Sequence, residues 1–144
     1  MLLTGTHLRT LDDKKRVGLP KKVREQLEEP ESLWLAPGPD QCLWVYNRTG
    51  LERLSAELDQ TPATHAEGRV FKRLFYAQIE TVDVDRAGRI LVPDRLAQFA
   101  GLQREVVLIG VRDHLELWDA TRWHAYSAEH ASRFDAVADN AFRK

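Results

Sequence analysis

The sequence predicts an α+β protein built from a duplicated ββαββ unit. Three observations predict it. Shifting the chain by 73 residues (85 − 12) lays Asp12 on Asp85, Arg16 on Arg89 and Pro20 on Pro93. The same shift lays one short strand-like run, Val17-Gly18-Leu19, on another, Ile90-Leu91-Val92. After each proline comes apolar spacing of helical period: Val23 and Leu27 in the first copy, Leu96 and Ala100 in the second. A repeat of this kind dictates the fold, because each copy is a structural unit that needs its neighbour.

Each copy reads in the same order. A strand, Leu8–Leu11 or Ile79–Val84, enters a tight polar turn, and a second strand, Arg16–Leu19 or Arg89–Val92, leaves it. The proline then opens a short helix, where its fixed φ and missing N–H are tolerated. Two further strands follow: Leu33–Ala36 with Cys42–Tyr46, and Val106–Gly110 with Leu115–Trp118. The first pair is joined by Pro-Gly-Pro-Asp at 37–40, strong turn chemistry. Thr49 reads as the N-cap of a helix carrying Leu51, Leu54 and Leu58. Thr121 reads as the cap of a C-terminal helix carrying Trp123, Tyr126 and Phe134. Between the copies, Val70, Phe71, Leu74 and Phe75 suit a helix whose Arg69, Lys72 and Arg73 face outward, and Gln60–Gly68 reads as loop. The organisation is then a first half over 3–48, a connector over 49–75, a second half over 76–120 and a helical tail over 121–144. A unit of about 45 residues is too small to bury its own core. Two of them in one chain are expected to pair about a pseudo-twofold axis.

Bulk properties narrow the function. The chain has 144 residues, 43% of them hydrophobic and 30% charged, with a net charge of −1, so no global charge points to nucleic acid or membrane. The local charge is less even. Between Arg9 and Arg24, seven bases stand against Asp12 and Asp13, while Asp113 to Asp139 is mostly acidic. A near-neutral protein can therefore own a basic face. No apolar run approaches the 18 or so residues of a membrane span, and no signal-peptide core follows Met1. Cys42 is the one cysteine, which excludes an intrachain disulfide and a CxxC metal site. A cytoplasmic protein is the expectation.

The Asp-x-x-x-Arg spacing carries the chemistry. The flanks are strand-like, so the two residues face each other across a hairpin bend. Asp12 and Asp85 can accept N–H bonds from their turns, and Gly88 suits a position with positive φ. Lys15, its counterpart, is more strained in that conformation. On the residues alone two readings stand. In one, a surface ion pair pins each hairpin, contributing about 0–1 kcal/mol. In the other, Asp12 sets the turn while Lys14, Lys15 and Arg16 meet phosphates and base edges, Lys suiting phosphate and Arg suiting bidentate contact to guanine.

"LDDKKRVGLPKKVREQL", "VDRAGRILVPDRLAQFAGL" and "LELWDATRWHAY" resemble the MraZ family of bacterial transcription regulators, which carry two SpoVT-AbrB-type halves. The resemblance runs from about Leu3 to Tyr126. It implies a pseudo-twofold swapped-hairpin β-barrel core with flanking helices and a ring-shaped homo-oligomer. It also implies binding of double-stranded DNA at short direct repeats, and repression of the promoter of the division and cell-wall gene cluster, hence association with the nucleoid. It makes Asp12, Arg16, Asp85 and Arg89 motif residues. The expected DNA-binding set is Arg9, Lys14, Lys15, Arg16, Arg86 and Arg89, with Asp12, Asp85 and Gly88 structuring the turns. The second motif can serve subunit packing as easily as DNA. The family usually has Gly at the place of Lys15, and "HASRFDAVADNAFRK" fits the family poorly. An AbrB-like protein-interaction or antitoxin-type scaffold is the alternative function.

Other chemistries find no support. His7, His65, His114, His124 and His130 show no metal-ligand spacing, and His114 near Glu116 reads as strand decoration. Trp34, Trp44, Trp118 and Trp123 read as core or subunit packing rather than a stacking platform. Cys42 has no base placed to activate it. Asp12 and Asp13 point to opposite faces of a strand and do not form an acid–base pair. No enzyme activity, cofactor, metal, membrane or small-molecule substrate is expected.

Overall fold

The computed structural model of the chain describes residues 1–143. Lys144, the last residue of the expected tail, lies outside the described residues. In order, the elements are β1 (Thr6–Thr10), β2 (Arg16–Gly18), α1 (Lys21–Gln26), β3 (Ser32–Gly38), β4 (Cys42–Tyr46), α2 (Arg48–Leu58), α3 (Ala66–Ala77), β5 (Glu80–Asp83), β6 (Arg89–Leu91), α4 (Asp94–Phe99), β7 (Glu105–Gly110), β8 (Leu115–Asp119), α5 (Ala120–Ala131) and α6 (Phe134–Ala141). The architecture is mixed α+β, with a six-stranded antiparallel sheet and a separate two-stranded ribbon.

The sheet order is β1-β7-β8-β4-β3-β5. Each half therefore gives its first strand to the other half: β1 pairs with β7, and β5 pairs with β3. The ribbon makes the same exchange, with Val17 of β2 opposite Ile90 of β6. Matched backbone bonds repeat between the two halves. The Leu19 N–H donates to the Gly88 carbonyl and the Val92 N–H to the Lys15 carbonyl, both at 2.8 Å. Leu11 N–H reaches the Arg104 carbonyl at 2.7 Å, and Val84 N–H the Glu31 carbonyl at 2.9 Å.

The apolar pattern explains the exchange. Val17, Val23, Ile90 and Leu96 are at most 1% exposed, packed with Leu33, Leu35, Leu43, Leu108, Leu115 and Leu117 in one core fed by both halves. Neither half closes this core alone. A second, smaller cluster of Cys42, Val107, Ile109, Trp118 and Ala120 lies beneath α5, with Trp44, Trp123 and Tyr126 packed against it. Among the described residues no helix is long and apolar enough to cross a membrane.

Several local expectations are corrected. The helix caps are Asn47 and Asp119, not Thr49 and Thr121. The Asn47 Oδ1 accepts from Gly50 N–H at 2.9 Å, and Asp119 accepts from Arg122 N–H at 3.4 Å. Asn47 directly follows β4 and Asp119 is the last residue of β8, so each helix starts two residues sooner than its threonine suggested. Asn47 is also 6% exposed and donates from Nδ2 to the Leu27 carbonyl, which binds α2 to the end of α1. The expected loop over 60–68 stops at His65, whose ring accepts from Gly68 N–H and caps α3. Phe134 does not share a helix with Trp123 and Tyr126: the chain breaks at Ser132–Arg133 and Phe134 opens α6. His114 is not simple strand decoration. Its Nε2 lies 3.1 Å from Glu116 Oε2, and its ring stacks on Tyr46. Burial pushes the Glu116 carboxyl up, but hydrogen bonds from His114 and Trp118 outweigh it and hold the group below its usual value. Burial pushes the Cys42 thiol up strongly, which leaves it the inert side chain its surroundings suggested.

Candidate nucleic-acid interface

The two Asp-x-x-x-Arg turns are built alike. Asp12 Oδ1 accepts from the N–H groups of Lys14 and Arg16 at 2.9 and 2.8 Å, and its Oδ2 from Arg16 Nε at 2.8 Å. Asp85 does the same for Ala87, Arg89 and Arg89 Nε at 2.9, 2.9 and 3.0 Å. The Arg16 N–H is the chief reason the Asp12 carboxyl stays below the usual carboxylate range, and the Arg89 N–H does this for Asp85; partial desolvation opposes both. One carboxylate thus satisfies the turn's amides and fixes the arginine that leaves it. This accounts for the four-residue spacing.

The fourth turn position takes the left-handed conformation in both copies, φ 77° at Gly88 and φ 61° at Lys15. Lys15, a non-glycine there, is the strained member expected from sequence. Its Nζ forms an ion pair with Asp94 at 2.7 Å, from the first turn of α4 in the other half. Over Gly88 lies Arg24 of α1. A Cβ on Gly88 would sit 2.9 Å from the Arg24 Cζ and Nε.

The ribbon holds the turns at opposite ends. Arg16 faces Leu91 and Gly18 faces Arg89 across it. Val17 and Ile90 point into the core, so the alternation of a strand turns Arg16, Gly18, Arg89 and Leu91 outward. Arg9 reaches over from β1, and a Cβ on Gly18 would meet its Nη2 at 2.9 Å and Arg89 Cγ at 4.0 Å. The Arg9 guanidinium therefore lies over Gly18, near Arg89. The outer face gathers Arg9, Arg16 and Arg89, with Lys14 and Arg86 exposed on the two turns. Arg9, Lys14 and Arg86 make no ion pair with any described residue, whereas Arg16 and Arg89 hold only their own turn aspartates.

The nine residues singled out from sequence lie on the β2–β6 ribbon, on its two turns at opposite ends, and on β1 beside it. Lys15 differs from the other cations in that its ion-pair partner, Asp94, comes from the other half. Asp94 and Arg24 are additional members of the site that sequence reasoning missed. The signal existed: both lie in the turn of helix after a proline, beside the opposite half's motif. It becomes legible only once the strand exchange is known.

A model described as "MraZ protein, putative antitoxin-like" matches residues 2–74 and again 75–144. The chain belongs to the MraZ family. The protein named transcriptional regulator MraZ in Acetivibrio thermocellus is 37% identical over 135 residues, covering 94% of this chain and 93% of that protein. The like-named proteins of Moorella thermoacetica and Lactiplantibacillus plantarum are 35% and 36% identical over 138 and 136 residues, each covering 95% of that protein. The two MraZ matches divide the chain within α3, so each contains one braced turn, one ribbon strand and one post-proline helix.

Proposed function

We propose that the protein is a DNA-binding transcriptional regulator that uses the outer face of the β2–β6 ribbon and its two braced turns to hold double-stranded DNA. The observation that carries this reading is a set of five cations on the ribbon, its turns and the adjoining strand, Lys14 and Arg86 exposed and Arg9, Arg16 and Arg89 half-buried, in a nearly neutral chain. Arg16 and Arg89 are offset by two residue positions along the ribbon, roughly 7 Å at strand geometry. That matches the axial rise of about two phosphates of one DNA strand. Phosphates supply affinity and position, and the fixed guanidinium groups are the candidates for base-edge contact. Lys15 belongs to this face as a brace of the first turn, through Asp94.

The finer reading follows the family. Residues 3–48 and 76–120 act as the two halves of a pseudo-twofold swapped-hairpin barrel, with 49–75 connecting them and 121–144 as a helical tail. The exchange of first strands supports this. A ring of such chains repeats the ribbon at a fixed interval. It binds short direct repeats upstream of the division and cell-wall gene cluster, represses that promoter, and resides on the nucleoid in the cytoplasm. Affinity comes from linking many weak contacts in one assembly.

Arg16→Ala tests the site. In a mobility-shift titration with the gene cluster's own upstream DNA, binding is lost while circular dichroism stays that of the parent. Unchanged binding refutes the assignment. The word "antitoxin-like" in the family description favours a second reading, a protein-binding scaffold. That reading predicts a co-purifying protein and no salt-dependent DNA affinity.

A further inference from the structure

We infer that α6 of one copy docks on α3 of the next, joining the chains head to tail through matched charge and apolar stripes. Two helices leave apolar faces uncovered. On α3, Val70 is 52% and Leu74 59% exposed, with Phe71 beside them, although Phe75 on the other side of the same helix is buried. On α6, Phe134 is 70% and Val137 41% exposed, and Phe142 just past its end is 86% exposed. Isolated exposed apolar residues are ordinary, but runs of them along one helix mark contact surfaces.

Charge says what covers them. Beside the α3 stripe run Arg69 and Arg73, four residues apart; beside the α6 stripe run Asp135 and Asp139, also four apart. Residues at this spacing sit one above the other on a helix face, so the two cations and the two carboxylates have the same interval. Asp135, Asp139 and Arg73 form no ion pair with any described residue. Arg69 donates to the Ala63 carbonyl and has no acidic partner among the described residues. Each helix thus presents an apolar ridge flanked by a two-charge row, with opposite signs. Laid together, the rows pair while the ridges exclude water.

The contact is heterologous, since the two patches differ. Such a contact propagates and closes into a ring when the rotation allows. The inference deepens the assembly part of the proposed function and assigns work to the tail, which the second family match includes. It stands apart from the DNA face, which lies on the ribbon.

Charge exchange tests it on the full chain. Arg69→Glu with Arg73→Glu gives one variant, and Asp135→Arg with Asp139→Arg gives another. Each alone is expected to drop from the parent's mass to that of a single chain in light scattering. Mixed in equal amounts, they are expected to regain the parent's mass, because alternating variants place opposite signs at every contact: Asp135 and Asp139 of the first face the unchanged Arg69 and Arg73 of the second, and the exchanged basic α6 row of the second faces the exchanged acidic α3 row of the first. Variants that keep the parent's mass, or a mixture that stays at single-chain mass, overturn the contact while leaving the ring open to other surfaces. A parent that is itself a single chain overturns both the contact and the ring, though not DNA binding. Leu74→Cys with Val137→Cys adds a second readout: oxidation is expected to link different chains on a denaturing gel, and a link within one chain overturns the head-to-tail arrangement.

Discussion

Gly88→Ala tests how tightly the second turn is specified. Gly88 holds φ 77°, where a side chain costs about 1–2 kcal/mol. The new Cβ would lie 2.9 Å from Cζ and Nε of Arg24. The guanidinium must therefore move, giving up the bond from Arg24 Nε to the Leu19 carbonyl at 3.2 Å, a loss near the lower end of the usual 0.5–1.5 kcal/mol, or about 0.5. The alanine chain also has less freedom to lose on folding, which returns about 0.4–1 kcal/mol. The balance is a destabilisation of about 1–1.5 kcal/mol, or a fall in Tm of roughly 3–6 °C for a chain of this size. Thermal unfolding at fixed protein concentration measures it. Lys15→Gly is the control at the equivalent position. It relieves the same strain, regains glycine's freedom in the unfolded chain, and removes an exposed ion pair to Asp94 that contributes about 0–1 kcal/mol. The expected change is within about 1 kcal/mol of zero. Equal destabilisation by the two substitutions, or a Gly88→Ala protein with the parent's Tm, would refute the reasoning.

Neighbouring ribbon residues should behave oppositely. Ile90 is 1% exposed and Leu91 54%; Ile90→Ala is expected to cost about 2–5 kcal/mol in urea unfolding, and Leu91→Ala less than about 0.5. Similar losses at both sites would mean that the ribbon is not seated inner face down. Acid should loosen the turns late. Because the folded-state carboxyls of Asp12 and Asp85 titrate below their unfolded values, the bracing is complete above about pH 4 and disappears as pH falls through the lower folded values. The Arg16 and Arg89 amide resonances are expected to hold position from neutral pH down to that range and shift only beneath it. A shift centred between about pH 5 and 7 contradicts the brace, since no ordinary or lowered aspartate titrates there.

Much of the fold was legible because the repeat states it twice. The shift of 73 residues (85 − 12) located the turns, the ribbon strands and the post-proline helices, since local periodicity and proline placement suffice for those. Which strand pairs with which was not legible. The β1–β7 and β3–β5 ladders depend on burying Val17, Ile90 and their partners in a core shared across some 70 residues of chain (90 − 17), and no local pattern states that. The same gap hid Arg24 and Asp94, which reach their turns only through the exchange. The helix caps were misplaced by two residues in both copies for one reason. Asn47 and Asp119 sit where a strand gives way directly to a helix, with no loop between to mark the boundary. In the candidate site, Arg9 was placed by charge alone, while its position over Gly18 and near Arg89 is visible only in the structure.

The salt dependence of DNA binding tests the central claim most directly. Titrations of the assembled protein with its upstream DNA, repeated over a range of salt, are expected to give a steep linear fall of log affinity against log salt. Lys14→Ala and Arg86→Ala should each make that slope shallower by about 0.9 for every phosphate left without its cation, with thermal stability unchanged. A shallow parental slope, or a steep one that neither substitution alters, would contradict DNA binding by the ribbon and its two turns.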